Sequence, residues 1–354
     1  MRILHIDGGT RWGGGQNQIR LLMVQLARNG INQLCLCPSG SPLERQLLAA
    51  SLPVEGVRWE SGADLRVARS IYRHAKTATV LHCHDGHALQ LAIAPAWLRR
   101  RPVVATRRVH FPAKPGVWNR AIRVIAITEA VKKRLIECEI DADRIRVIPS
   151  GIDIAEVRSL PPASPGLRER LIIDRGAFVA GNVGALLDVK NQKLIPRAAA
   201  HERNIIWVIV GDGPERGTIE GAIAAHGVTA NVRMAGASTD ARPYIREFDV
   251  FVFTSRGEAL GTSILDAMAL GIPVIGPDDA GPAEVLRPVH EKTGATLYPL
   301  DDATALAAAV RRTRNDAALR RAMVEAQDVR LQDFRIENTV NAIIALYHEL
   351  PVRP

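Results

Sequence analysis

The 354-residue chain has little sulfur, few aromatic rings and no long uninterrupted apolar run, and each shortage closes off a class of protein. Its four cysteines, Cys35, Cys37, Cys83 and Cys138, show neither zinc-ligand spacing nor the Cys-x-x-Cys redox pattern, and in a strand Cys35 and Cys37 point to one face as small apolar residues. Aromatic residues make up 4% and do not interleave with the basic runs, so stacking on bases is poorly supported and no nucleic-acid partner is expected. Nothing in the chain is suited to spanning a bilayer. The start, Met1 to Asp7, is interrupted by Arg2, His5 and Asp7, so it reads as a first β-strand rather than a signal peptide, and a cytoplasmic location is expected.

What is present is the composition of a soluble globular protein, 47% hydrophobic and 23% charged, at a length that favours two domains. The net charge of +9 is uneven: residues 1 to 160 hold 24 Lys and Arg against 13 Asp and Glu, or +11, and the remainder holds 22 against 24, or −2. Arg99-Arg100-Arg101, Arg107-Arg108 and Lys132-Lys133-Arg134 could face an anionic lipid or an anionic substrate, although a solvated face accounts for any single run.

Strand-like and helix-like stretches alternate throughout, which predicts an α/β fold. In the first half, strands are expected at Ile3 to Ile6, Gln33 to Cys37, Val80 to His82, Val103 to Ala105, Val124 to Ala126 and Arg146 to Ile148, with helices near Gln16 to Arg28 and Leu43 to Ala50. The proline-rich run Pro161 to Gly166 reads as a linker or exposed loop. A second series places strands at Phe178 to Val183, Ile206 to Val210, Val232 to Met234, Val250 to Phe253, Val274 to Gly276 and Thr296 to Tyr298. Its helices fall at Lys193 to Ala200, Thr218 to Ala225, Ala241 to Glu247, Ser263 to Leu270 and Ala303 to Arg314. Met323 to Leu350 is helical in pattern and long enough for two helices. The expected division is 1–160, 161–330 and a terminal helical segment, 331–354.

The most informative motif is the pair Glu258 and Asp266, eight positions apart and bracketing a strand-to-helix turn. Gly261 and the amides of Thr262 and Ser263 offer a helix N-terminus suited to a phosphate, at the strand end where open α/β sheets bind ligands. The acids could be an acid/base couple, or each could accept hydrogen bonds from a polyol, one from a sugar and one from a ribose. Lys190, in the loop after the first strand of this half, is a plausible phosphate contact because its ammonium is a compact point charge. Gly211-Asp212-Gly213-Pro214 reads as turn and helix-start chemistry. At the N-terminus, Asp7 to Asn17 is a glycine-rich loop through which no Gly-x-Gly-x-x-Gly can be drawn, and the second strand ends in Pro38-Ser39 without a ribose-binding acid, so an NAD site is not expected. Gly13-Gly14-Gly15 instead permits close backbone approach to a polar ligand. His82, His84, His87 and Asp85 suggest a metal only weakly, because nothing fixes a closed site. His84 and Asp85, at a strand end, are better candidates for sugar or acceptor contacts, with Arg107, Arg108 and His110 in the corresponding place after the next strand.

Taken together, Gly13-Gly14-Gly15, Ile148 to Asp153, Lys190, Gly211 to Pro214 and Glu258 to Pro273 resemble the family-4 retaining glycosyltransferases of GT-B fold, over nearly the whole chain. The resemblance implies two Rossmann-like domains facing across a cleft, an acceptor-binding first domain, a nucleotide-sugar-binding second domain and a last helix that crosses back to the first. It implies that Glu258 holds sugar hydroxyls, that Gly261, Thr262 and Ser263 seat the pyrophosphate, that Asp266 takes the ribose and Lys190 the phosphates, and that Gly14 and Gly15 close over the donor. No cofactor and no metal are implied beyond a UDP- or GDP-sugar donor, consistent with the lack of an Asp-x-Asp motif beside the second-domain strands. Three positions depart from the family: Ala185 stands where an arginine usually precedes the lysine, Asp266 replaces Glu, and Arg108 falls where a histidine is common. Arg107 or Arg108 could supply the missing cation, which makes Arg108 a candidate catalytic group. The expected activity is sugar transfer to a cell-envelope glycan or lipid-linked acceptor, at an anionic membrane surface inside the cell. The alternatives are a nucleotide-sugar epimerase and a non-catalytic nucleotide-sugar-binding subunit.

Overall fold

The computed structural model describes residues 1–60, 64–238 and 240–351, and these form two compact units. One comprises Met1–Gly151 together with the chain from Phe334 onward; the other is Ile152–Asp333.

The first unit is built on a seven-stranded parallel sheet. Its strands are β1 (Arg2–Ile6), β2 (Asn32–Pro38), β3 (Val54–Val57), β4 (Val80–Cys83), β5 (Val103–Arg107), β6 (Arg123–Ala126) and β7 (Ile145–Val147), in the order β3-β2-β1-β4-β5-β6-β7. Winding runs outward in both directions from β1, so the switch point lies between β1 and β4, where neighbouring loops leave in opposite directions and open a crevice. The strands are apolar because both faces are covered. On one face, Leu22 and Leu26 of the helix Gly14–Arg28 and Val340, Ile343 and Tyr347 of the last helix, Ile336–His348, pack with Ile3, Val80, Val104 and Ile125. On the other side of the first helix, Ile19 and Met23 meet Cys35, Cys37, Leu43 and Leu47, so both β2 cysteines serve as core residues. The last helix sits close enough to the end of the first segment that a Cβ on Gly151 would lie 2.6 Å from the Ile336 Cα. Gln18 Nε2 donates to the Gly151 carbonyl at 2.7 Å and Thr339 Oγ1 to that of Pro149 at 2.9 Å.

The second unit carries a six-stranded parallel sheet of β8 (Val179–Val183), β9 (Ile206–Val210), β10 (Val232–Gly236), β11 (Val250–Val252), β12 (Val274–Pro277) and β13 (Leu297–Tyr298), ordered β10-β9-β8-β11-β12-β13. Here the switch falls between β8 and β11. Trp207, with no exposed surface, centres a core shared with Ile195, Leu306, Val310 and Met323.

Residues 152–160, expected with the first domain, belong to the second unit. Arg158 Nε donates to the Ala269 carbonyl at 2.9 Å, and Glu156 meets Arg242 at 3.2 Å. The proline-rich run from Pro161 therefore lies inside the second unit, where the amides of Leu167 and Arg168 donate to the Glu247 carboxylate. The expected helix at Ala241 to Glu247 is one turn, Arg242–Ile245. A helix without an expected counterpart, Ala280–Thr293, follows β12; it contains Pro282 and Pro288, of which the first sits in the opening turn where a missing N–H costs nothing.

Candidate functional site

At the second switch point the loops after β8 and β11 are tied to each other. Lys190 ends a 3₁₀ turn, Asp188–Lys190, and Asn191 then adopts a left-handed conformation at φ 52° while its side chain donates to Asp301 at 2.9 Å. Thr254 Oγ1 donates to the Lys190 carbonyl at 2.7 Å and the Arg256 amide to that of Val189 at 2.8 Å. These bonds set the Lys190 ammonium in an ion pair with Glu258 Oε2 and 5.9 Å from the centre of the Phe253 ring. Both members stay reachable, with 27% and 25% of their side chains exposed.

The unforeseen helix Ala280–Thr293 holds the acid loop from behind. Gly281 N donates to the Glu258 carbonyl at 3.1 Å, Gly257 N to Asp279 Oδ2 at 2.6 Å, and a Cβ on Gly281 would lie 2.1 Å from the Ala259 oxygen. Past Glu258, Gly261 turns left-handed (φ 85°) and opens the helix Thr262–Ala269 with no side chain capping it. The N-cap thus gives the first-turn amides, including those of Thr262 and Ser263, no side-chain acceptor, an arrangement chemically suited to an anion. Gly211 and Gly213 allow their loop to pack on the chain at 184–186, since Cβ atoms there would lie 1.9 and 2.5 Å from the carbonyl oxygens of Gly184 and Leu186. That is a structural use of the Gly-Asp-Gly-Pro turn.

Asp266 lies on the helix Thr262–Ala269, in a set that sequence reasoning did not assemble. Burial pushes its carboxyl up to about 7; Arg242 opposes the shift, and the nearby carboxylates of Asp240 and Glu156 add to it. Arg242 binds Asp240 through Nε at 2.9 and 3.1 Å and through NH2 at 2.8 Å, besides reaching Glu156.

At the first switch point the expected residues are also neighbours, but they are turned inward. Asp85 caps the helix Gly86–Arg99 by accepting from the amides of His87 (2.7 Å) and Ala88 (2.9 Å), and it also accepts from Gly8 N at 2.5 Å. His84 is stacked on His5 with ring centres 5.2 Å apart, and its Nε2 lies 3.0 Å from His5 Nδ1. Arg108 donates to His84 Nδ1 at 3.2 Å; burial lowers its guanidinium to about 10, against the pull of Asp7, Tyr347 and Asp85. Arg107 is bound by its own loop, donating to the carbonyls of Phe111 (2.6 Å) and Pro112 (3.2 Å) beneath the Phe111 and Trp118 rings. The Arg107-Arg108 run is thus no exposed basic surface. His110 is partly exposed. Gly14 and Gly15 form the first turn of the helix Gly14–Arg28, which Gly13 opens in extended backbone with no side-chain cap.

Two residues in this region carried no sequence signal. Asp7 is buried beside Asp85, which together with burial raises its carboxyl to about 6 against bonds from Gln16 and Gly9. His5 joins His82 and His84 in a buried cluster whose ligand-capable atoms lie within 4.8 Å of one another; His87 is not part of it. The parallel pairing of β1 with β4 sets His5 opposite His82. Both His82 nitrogens have partners, Tyr347 Oη at 2.6 Å and Thr106 Oγ1 at 2.7 Å, and those of His84 are taken by His5 and Arg108, so the set is a hydrogen-bonded chain.

Residues 12–156 match the family described as Glycosyltransferase Family 4, and residues 165–329 that described as Glycosyl transferases group 1. The chain is 27% identical over 331 residues to the lipopolysaccharide core biosynthesis glycosyltransferase LpsD of Rhizobium meliloti, covering 90% of each protein. It is 30% identical over 301 residues to the putative glycosyltransferase EpsF of Bacillus subtilis, spanning 77% of this chain and 78% of that one. Among solved structures, Anabaena HepE in complex with UDP-glucose superposes with a TM-score of 0.84 at 22% identity, over 99% of this chain and 100% of the other, which identifies the fold as GT-B. With its two parallel sheets and a last helix that contacts the first, this chain belongs to glycosyltransferase family 4 and is a GT-B glycosyltransferase.

Proposed function

We propose that the protein transfers a sugar from a nucleotide-sugar, UDP- or GDP-linked, to a cell-envelope glycan or lipid-linked acceptor, with retention of anomeric configuration and without a metal. The observation that carries this reading is the second switch point, where a Lys190–Glu258 pair about a quarter exposed stands in one loop cluster with the uncapped helix end at Gly261. A diphosphate needs positive charge as the sugar–oxygen bond breaks, and a fixed ammonium with helix amides supplies it without reorganisation. Lys190 takes the phosphates, the amides of Thr262 and Ser263 the pyrophosphate, Glu258 the sugar hydroxyls and Asp266 the ribose. The acceptor falls to the first unit, where His110 remains partly exposed while His84, Asp85 and Arg107 are engaged with their own chain. HepE's complex with UDP-glucose favours a UDP-sugar, and the lipopolysaccharide core role of LpsD favours an envelope glycan.

Thermal-shift titration against UDP-, GDP-, ADP- and dTDP-glucose tests the donor, because a ligand that binds only the folded state raises its apparent stability. A shift with one nucleotide series is expected. Proton NMR of the product then reads the anomeric configuration: retention supports the proposal, and inversion, or an epimerised nucleotide-sugar with no transfer product, defeats it.

A further inference from the structure

We propose that the first unit carries a docking surface for an anionic lipid bilayer, centred on Trp97, Leu98, Arg100 and Arg120, with none of the residues assigned to transfer above lining its groove. The surface begins at the end of the helix Gly86–Arg99. That helix buries Ala88, Leu89, Ala92 and Ala96 in the unit, yet its last turn presents Trp97 with 77% and Leu98 with 60% of their surface to solvent. Two large apolar side chains side by side at that exposure are not core residues that merely protrude. Arg100 follows as the C-cap in left-handed backbone at φ 55°, a position where glycine is the low-cost residue, so an exposed arginine there is held against local preference.

The surroundings have one sign of charge. From Leu65 to Thr128 the chain has twelve Lys and Arg and a single acid, Asp85, whose carboxylate caps the helix and accepts from Gly8 N. Arg99 lies 3.7 Å from the centre of the Tyr72 ring, and Arg101 donates to the carbonyls of Ala75 and Lys76 at the end of the helix Leu65–Ala75. Among the described residues no carboxylate pairs with Arg99, Arg100, Arg101 or Arg120. Between these cations runs a groove of about 910 Å³ with an apolar floor that includes Ile93, Pro102 and Ile122.

The chemistry selects the partner. An indole and a leucine ringed by unpaired arginines match the boundary of a bilayer, where aromatic rings sit among headgroups and guanidinium groups meet lipid phosphates. A nucleic acid would use the arginines but leave Leu98 and the groove floor wet. No described helix is long and apolar enough to cross a membrane, so attachment through this face is peripheral. The inference stands apart from the donor and acceptor assignments, because binding to vesicles needs no turnover.

Flotation of the full chain with vesicles of phosphatidylcholine alone, or of phosphatidylcholine with phosphatidylglycerol, tests it. The protein is expected to float with the phosphatidylglycerol vesicles at low salt and to be released by high salt. Arg100→Glu with Arg120→Glu should lower the partition coefficient at least tenfold, since each arginine removed costs about fivefold at an anionic surface and the acid adds repulsion. Trp97→Ser with Leu98→Ser should lower it at moderate salt while leaving the melting temperature within a degree or two of the parent, because these side chains pack on little. Equal flotation of parent and both variants, no flotation of the parent, or loss of the patch into a homodimer at the working concentration would each overturn the proposal. So would tighter, Trp97-dependent binding to single-stranded RNA than to the anionic vesicles.

Discussion

The two sheets place their loops by the same topological rule, and the two switch points are furnished in opposite ways. Between β1 and β4, polar groups face one another: His5 with His84, His84 with Arg108, His82 with Tyr347 and Thr106, Asp85 with the amides of its own helix. Between β8 and β11, the charged groups are partly open, although each switch point has a helix start without a side-chain cap. A shared architecture says where a ligand site can be. How far the polar groups there are engaged with their own unit bears on what they can do: most of the first set is turned inward, Arg108 Nε excepted, and the Lys190–Glu258 pair of the second stays partly exposed.

That contrast can be broken by mutation. Lys190→Ala and Glu258→Ala should each lower kcat/KM for transfer by about 10²–10³-fold, the scale for losing one preorganised charge-stabilising group, while the melting temperature moves little. Full activity in either variant, measured by release of nucleotide in the presence of acceptor, would sink the assignment.

The first switch point should respond to acid instead. Burial holds His5 down to about 3, and His82 and His84 also lie well below the ordinary histidine value, each repelled as well by its charged or histidine neighbours. Below pH 6.5 the unfolded chain binds protons that the folded histidines refuse, so stability is present above that value and is lost as pH falls. His5 alone should contribute a loss of about 2 kcal/mol at pH 5. Denaturant titrations of the parent and of His5→Gln at pH 7 and pH 5 check this: the variant should lose about 2 kcal/mol less than the parent over that interval.

A smaller effect is expected for Tyr347→Phe, which leaves a buried histidine nitrogen without its 2.6 Å partner. The cost should be about 1–3 kcal/mol of unfolding free energy at pH 7, with kcat changed less than in either Lys190 or Glu258 variant.

A change of opposite sign belongs to Asp266→Asn. A carboxyl raised to about 7 favours the protonated fold, so wild-type stability falls as pH rises from about 4 to 7. The variant should gain on the order of 4 kcal/mol at pH 8 and nothing at pH 4, while nucleotide affinity drops because the ribose loses a charged acceptor. Tighter nucleotide binding by the variant would remove Asp266 from the ribose role.

Much of this fold is legible as hydrophobic rhythm. The strands of the second sheet fall within a residue or two of the apolar runs, Ile206–Val210 among them, because a strand covered on both faces must be apolar throughout. β3 is hidden because Val54-Glu55-Gly56-Val57 is an edge strand, too short and too polar to show. The helix Ala280–Thr293 is hidden by two prolines and a glycine, although that glycine is what lets it press against the acid loop. For the site, Lys190 and Glu258 could be named from motif positions, but their contact spans 68 residues of sequence. The histidine chain depends on a strand register, and the Arg242–Asp240–Glu156 surroundings of Asp266 depend on a segment, residues 152–160, expected in the other domain. Periodicity reports what one element buries; it does not report which elements meet.

The last helix has a consequence for biosynthesis. Its Val340, Ile343 and Tyr347 cover Ile3, Val80 and Val104, and Tyr347 satisfies His82. Domains emerging from the ribosome ordinarily fold in the order they are made. Here the first 151 residues leave the ribosome with one face of their sheet only partly covered, by the helix Gly14–Arg28, and with His82 short of one of its two partners, and both wait until the helix Ile336–His348 is translated. The second unit, continuous in the chain, can complete its core while the first is still waiting, so the part begun first is the part finished last.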